Sequence, residues 1–250
     1  MADDEYLDAV DYTRDDIDVE DFGEIKFAVK LNDVSRAYKA GRKEIAALRN
    51  VNLEVKPGEF IVIAGHSGSG KTTLLNIIGA IDLSSSGRVY VMDVPINDYD
   101  EAFRSSFRLS NTGFIFQSYN LISTLTAVEN VRFPMQLSDK SHSKLKDEAI
   151  KLLERVKMEH RADHLPWQLS SGEQQRVAIA RAMANDPPII LADEPTANLD
   201  GDSGQMVRDL LIELNKMGKA VIVMTHDQGI IKQPGIRRFK MDAGELSEDV

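Results

Sequence analysis

The stretch Gly65-His66-Ser67-Gly68-Ser69-Gly70-Lys71-Thr72-Thr73 limits what this chain can become more than any other part of it. It follows the apolar run Phe60–Ala64 and precedes Leu74-Leu75-Asn76-Ile77-Ile78, so a short buried strand runs into a glycine-rich turn that opens a helix. In that setting the glycines let backbone N–H groups turn toward phosphate oxygens. Lys71 reaches the β- and γ-phosphates, Thr72 offers a hydroxyl to Mg²⁺, and the helix N-terminus adds the positive end of its dipole. The loop implies a site for ATP or GTP.

Two further apolar runs, Pro188 to Ala192 and Ala220 to Met224, have the length and continuity of strands buried on both faces. The helical pattern from Gln205 to Lys216, with Met206, Leu210, Leu211 and Leu214 on one stripe, separates them. Strand, helix and strand in that order predict a parallel crossover. Ile25 to Leu31 and Val51 to Val55 read as half-buried strands joined through the turn-rich Lys39-Ala40-Gly41-Arg42, an antiparallel edge. Residues 118–168 lack a buried-strand run and carry the stripe Ala149, Ile150, Leu152, Leu153 and Val156, the pattern of a helical insertion. The expected fold is α/β: a mixed, mainly parallel sheet core with an antiparallel edge and a helical subdomain, in one domain over residues 25–250.

Asp193-Glu194 follows the run Ile189-Ile190-Leu191-Ala192, which puts two carboxylates at the C-terminal end of a strand, where ligands of parallel sheets sit. Alone, an acidic pair before Pro195 is also an ordinary strand-end turn. Beside a phosphate loop, Asp193 is placed to share a Mg²⁺ with Thr72, and Glu194 to orient or deprotonate a water in line with the γ-phosphate. Ser170 with Glu173 three residues on is a capping box ahead of good helix formers, and its N-terminus is suited to an anion. The expectation carries a tension, because a Ser170 hydroxyl used for capping is not free to donate to phosphate.

The formal charge of −10 belongs to one end of the chain. Residues 1–24 hold eleven acids against the single base Arg14, and the remainder is neutral. Such a segment is expected to be disordered, and neither part suits nucleic acid as a partner. The absence of cysteine excludes disulfides and thiolate metal sites. His160 and His164 stand four apart without an evident third ligand and read as surface histidines. No run reaches the roughly 18 apolar residues of a membrane span, and the acidic start lacks the layout of a secretory signal, so the chain is expected to be cytoplasmic.

With these residues in view, the chain resembles the ATP-binding-cassette ATPase subunits over residues 25–246. The motifs occur in order: the Walker A loop, Gln117 in the Q-loop position, the signature Leu169-Ser170-Ser171-Gly172-Glu173, Walker B at Asp193-Glu194, a D-loop at Ala197-Asn198-Leu199-Asp200, and His226 in the switch position. The resemblance implies a head-to-tail homodimer around two ATP molecules. Ser170 and Gly172 of one copy would meet the γ-phosphate held by the other, and Asp200 would lie across the interface. It also implies Tyr38 stacking on adenine, His226 on the γ-phosphate, and Thr72, Gln117 and Asp193 around Mg²⁺. Phe116 to Val131 and the following Pro134 resemble the lipoprotein-release, macrolide-export and cell-division branch. That branch implies a separate integral membrane permease with an extracytoplasmic domain, the ATPase lying peripherally on the cytoplasmic face. Tyr119, Leu121, Ile122, Leu125 and Val128 are expected to line the docking groove or, equally, the helical core. Ser171 departs from the family's usual glycine, and its Cβ is expected to crowd the opposite ATP or to resist a positive φ. Alternatives at this point are force transmission without transport, a soluble cassette ATPase, and a nucleotide-gated module with little turnover.

Overall fold

A computed structural model describes residues 24–41, 43–138 and 144–249. The expected disordered segment at residues 1–24 lies, except for Glu24, outside them.

Two sheets enclose one of two core layers. One holds four antiparallel strands in the order β2(Lys43–Val55), β1(Val29–Ala40), β4(Ser86–Val91) and β5(Val94–Pro95). The other holds six in the order β10(Glu245–Glu248), β9(Arg237–Asp242), β3(Phe60–Ala64), β8(Ala220–Met224), β7(Ile189–Asp193) and β6(Thr112–Ile115). All neighbours in the six-stranded sheet are parallel except β10, which pairs antiparallel with β9. The α/β class with a mainly parallel core and an antiparallel edge is therefore observed. The hairpin expected at that edge instead builds a separate sheet. Its strands are also longer than expected, reaching Ala40 and starting again at Lys43, because bulges near Val34 and Arg36 break the alternation that marks a strand in sequence.

The central strands are buried on both faces, which is why they appear as continuous apolar runs. Ile61 and Ile63 of β3, Ile189 and Leu191 of β7, and Ile222 and Met224 of β8 face the layer shared with α1(Lys71–Ile78) and the antiparallel sheet. Phe60, Val62, Ile190, Ala192, Val221 and Val223 face the other layer, with α5(Ser171–Ala182) and α6(Gly201–Lys216). Between β6 and α5 the chain forms α3(Ala127–Gln136), α4(Leu145–Arg155) and short 3-10 turns at Glu159–Arg161 and Pro166–Gln168, with no strand among the described residues. Helix α2(Glu101–Asn111) precedes β6, and α7(Gln228–Ile231) follows β8. No helix of the described residues is long and apolar enough to cross a membrane.

Candidate functional site

Three parallel strands deliver the chemistry to one end of the sheet. β3 leads into residues 65–70, β7 ends at Asp193 with Glu194 just beyond it, and β8 leads to Thr225 and His226. The turn after β3 is shaped by its glycines. Gly70 has φ +109°, and an added Cβ would lie 2.5 Å from the Ala47 carbonyl oxygen, so only glycine lets the loop press against β2 while α1 begins. Gly65 is held as closely against the Met241 carbonyl of β9. Lys71 curls back over the loop, Nζ donating to the carbonyls of Gly65 at 2.7 Å and His66 at 3.0 Å. Ser69 Oγ is buried without a partner.

Thr72 Oγ1 donates to Asp193 Oδ2 at 2.7 Å. Burial raises the Asp193 carboxyl above the ordinary carboxylate range, and the neighbouring Glu194 adds to the rise. The Thr72 hydroxyl and Lys71 oppose it. Glu194 adopts φ +45°, a left-handed conformation uncommon outside glycine. That bend turns its carboxylate across to β8, where Oε2 accepts from Thr225 Oγ1 at 3.1 Å and from the His226 backbone N–H at 3.3 Å. Oε2 also lies 2.9 Å from His226 Nδ1, and Oε1 lies 3.8 Å from Lys71 Nζ. The side chain of His226 is 78% exposed. A cleft of about 320 Å³ runs from Glu194 and His226 to Asp200 and Arg208.

A second polar surface starts at α5. Ser170 caps the helix, its Oγ accepting from the Glu173 N–H at 3.3 Å while Glu173 Oε2 accepts from the Ser170 N–H at 2.8 Å. The expected capping box is present. The tension attached to it dissolves: a hydroxyl that accepts a backbone N–H keeps its own proton to donate. Burial raises the Glu173 carboxyl, but Ser170 and Arg161 outweigh burial and hold it low. Gly172 is buried against Ser203 near the start of α6, whose N-cap is Asp200. Asp200 accepts from Ser203 N–H at 2.8 Å and Oγ at 3.0 Å, bonds that lower its carboxyl.

The model of the ABC transporter family matches residues 48–197, more than half of the chain. The chain belongs to the ABC transporter family. The ABC transporter ATP-binding protein MJ0796 of Methanocaldococcus jannaschii is 46% identical over 226 residues, which cover 88% of this chain and 96% of that one. The lipoprotein-releasing system ATP-binding protein LolD of Idiomarina loihiensis is 40% identical, over 82% of this chain and 90% of its own. The dimeric structure of the MJ0796 cassette in a post-hydrolysis state, bound to ADP and Pi, superposes with a TM-score of 0.82 at 45% identity, covering 88% of this chain and 97% of that one. This chain is an ABC-type ATPase subunit, consistent with the LolD-like branch.

Within this ABC ATPase the other expected residues fall as follows. Gln117 sits exposed in the turn after β6, two residues beyond the Ile115–Ala192 pairing. Tyr38 lies near the end of β1, its hydroxyl donating to Asp82 Oδ2 at 2.6 Å and one face of its ring covered by the Arg36 guanidinium at 4.6 Å. Of the five residues expected at a docking groove, Val128 belongs to the buried core and Leu121 packs against it, while Ile122 is partly exposed. Ser171 is the exposed first residue of α5, with no positive φ, so the conformational half of its expected penalty is absent. His160 and His164 join no group of potential metal ligands among the described residues.

Several site residues escaped the sequence reading. Thr225 lies directly before His226 and bonds Glu194. Arg208 and Thr196 each hold Asp227 Oδ2 at 2.7 Å, fixing the turn after His226. Burial raises the Asp227 carboxyl, and the bonds from Thr196, Arg208 and the Gly229 N–H outweigh it, leaving it low. Arg181, at the end of α5, donates to the Tyr119 carbonyl at 2.8 Å and to that of Asn120, tying the signature helix to the segment after Gln117. Only long-range pairing identifies these residues, and no local motif announces it.

Proposed function

We propose that this ATPase subunit works as a head-to-tail homodimer closed by two ATP molecules, and that closure moves an integral membrane permease with an extracytoplasmic domain. The observation that carries the reading is the separation of two polar surfaces. Lys71, Thr72, Asp193 and Glu194 converge on one end of the sheet, whereas the capped helix start at Ser170 faces solvent with an unspent hydroxyl proton. A second copy supplies the missing half: its Ser170 and Gly172 meet the γ-phosphate lying over Gly65, His66, Ser67, Gly68, Ser69 and Gly70, and its Asp200 crosses the interface. The dimeric MJ0796 cassette bound to ADP and Pi supports the arrangement.

Thr72, Asp193 and Gln117 offer hydroxyl, carboxylate and amide oxygens, a donor set suited to Mg²⁺. When bound, the ion neutralises charge on the β- and γ-phosphate oxygens. Lys71 and the loop N–H groups orient the triphosphate, with Thr73 in the next position of α1. Glu194 takes the proton of the attacking water as the γ-phosphoryl group leaves ADP. His226 contacts the γ-phosphate, Tyr38 stacks on adenine, and loss of phosphate reopens the pair. For the permease, the cleft beside β6 fits a docked helix: about 240 Å³, lined by Phe114, Phe116, Phe133, Pro134 and Leu137. The related cbiO1 of Clostridium perfringens is part of the ABC transporter complex cbiONQ, and a permease partner would place this subunit on the cytoplasmic face of a membrane.

The test is the molar mass of Glu194→Gln by light scattering. With saturating MgATP it doubles, and it stays monomeric with ADP. A mass unchanged by ATP rejects the reading.

A further inference from the structure

We infer that Trp167 reaches across the proposed dimer and stacks on the purine of the ATP held by the partner's phosphate loop, a contact that reports closure. The inference rests on the head-to-tail arrangement proposed above. Trp167 is the sole tryptophan of the chain and is 75% exposed, more than any other large apolar side chain among the described residues. An indole left in water is unusual unless something covers it.

Its surroundings are rigid. Pro166 and Leu169, on either side, are buried. Gln168 turns back, its Oε1 accepting from the Leu165 N–H at 2.8 Å, so its amide oxygen is spent on the turn. Arg161, in the preceding turn, binds Glu173 of α5 with Nε 3.2 Å from Oε1. The 3-10 turn at Pro166–Gln168 is thus anchored on both sides and projects one large side chain outward, the preorganised presentation expected of a recognition anchor.

The neighbouring motif limits how far the indole can lie from the proposed phosphate contact. Trp167 precedes Ser170 by three residues, a span of at most about 10 Å. If Ser170 of one copy meets the γ-phosphate, the indole is within reach of the nucleoside end of the same molecule. That end needs a second cover. Tyr38 has one ring face covered by Arg36, and a single ring can cover only one face of the base. The second face is open to the partner, and Trp167 is the exposed aromatic the partner offers next to its signature.

Tryptophan emission tests this directly, since one residue gives the whole signal. In Glu194→Gln, MgATP is expected to quench the emission in step with the mass doubling, without shortening the lifetime of the remaining signal, as stacking on a purine requires. In the same background Trp167→Ala is expected to raise the ATP concentration needed for dimerisation roughly tenfold, with Trp167→Phe recovering most of it. ATP binding to dilute monomer stays unchanged, because the indole belongs to the other half-site. A dimer that forms with the emission unchanged, or only blue-shifted at full intensity, overturns the purine contact and leaves the dimer standing. A tenfold loss of monomer binding in Trp167→Ala overturns it as well. Failure of Glu194→Gln to dimerise at all rejects the earlier reading instead.

Discussion

His226 Nδ1 lies 2.9 Å from Glu194 Oε2, on the same carboxylate oxygen that accepts from the Thr225 hydroxyl and the His226 backbone N–H. Glu194, proposed above to take the proton of the attacking water, is therefore held by the segment that follows β8. The left-handed backbone at Glu194 is what permits this, and the β8 partners are what offset its strain. His226→Ala is expected to lower ATP turnover by roughly 10²-fold or more, the range of a lost acid–base or orienting group. Dimerisation with ATP persists, since the loop and signature are untouched. Turnover measured by phosphate release within threefold of the parent removes His226 from the machinery.

Asp193 illustrates a site residue that costs the fold something. Burial, its largest influence, raises the folded-state carboxyl above the unfolded value. The folded state then holds its proton more tightly, and stability falls as pH rises through the folded-state value. Asp193→Asn should melt a few degrees above the parent at pH 7, and the difference should shrink toward acidic pH as the parent's carboxyl becomes protonated. MgATP should raise the melting temperature of the parent far more than that of Asp193→Asn. Equal melting temperatures across pH 4–8 contradict the burial penalty.

The strands that carry the site could be read because burial on both faces leaves no ambiguity of pattern. Phe60–Ala64 and Ala220–Met224 match β3 and β8 residue for residue. The capping box at Ser170 was likewise local enough to anticipate, whereas the direct bond between Thr72 and Asp193 was not, the two having been expected only as neighbours of one Mg²⁺. Elsewhere the signal was weak for physical reasons. β6 spans four residues and contains Gly113, where an added Cβ would collide with the Ala182 carbonyl, so the strand is selected by contact rather than propensity. β9 reads Arg-Arg-Phe-Lys-Met-Asp, and only Phe239 and Met241 among these are buried. α2 shows two stacked aromatics, Phe103 and Phe107, amid charged residues. The left-handed turn of Glu194 follows from bonds to a strand thirty residues away, which no local pattern contains.

Gly172 tests whether the signature is also a structural joint. An added Cβ would lie 2.7 Å from Ser203 Cβ and closer still to its Oγ, so α5 and α6 meet here without room for a methyl group. Gly172→Ala is expected to destabilise the subunit by about 1–3 kcal/mol in urea unfolding, the usual cost of overpacking. Adding Ser203→Gly removes both clashing atoms and should recover most of that loss. ATP-driven dimerisation should recover with it, because the methyl group points into the space that Ser203 vacates. Stability restored without dimerisation would mean that the partner's phosphate approaches Gly172 too closely for any side chain.

A seryl side chain where the family resemblance implies glycine is expected to matter if the position needs a left-handed backbone or close approach. Ser171 instead opens α5 with no positive φ, and its side chain is exposed. Glycine at a helix position costs roughly 0.5–1 kcal/mol in backbone entropy. Ser171→Gly is therefore expected to lower stability by up to that amount while leaving ATP turnover within twofold, as followed by phosphate release at saturating MgATP. A several-fold gain in turnover would instead mean that the Cβ obstructs closure on the partner's nucleotide, and the serine would then act as a brake built into the interface.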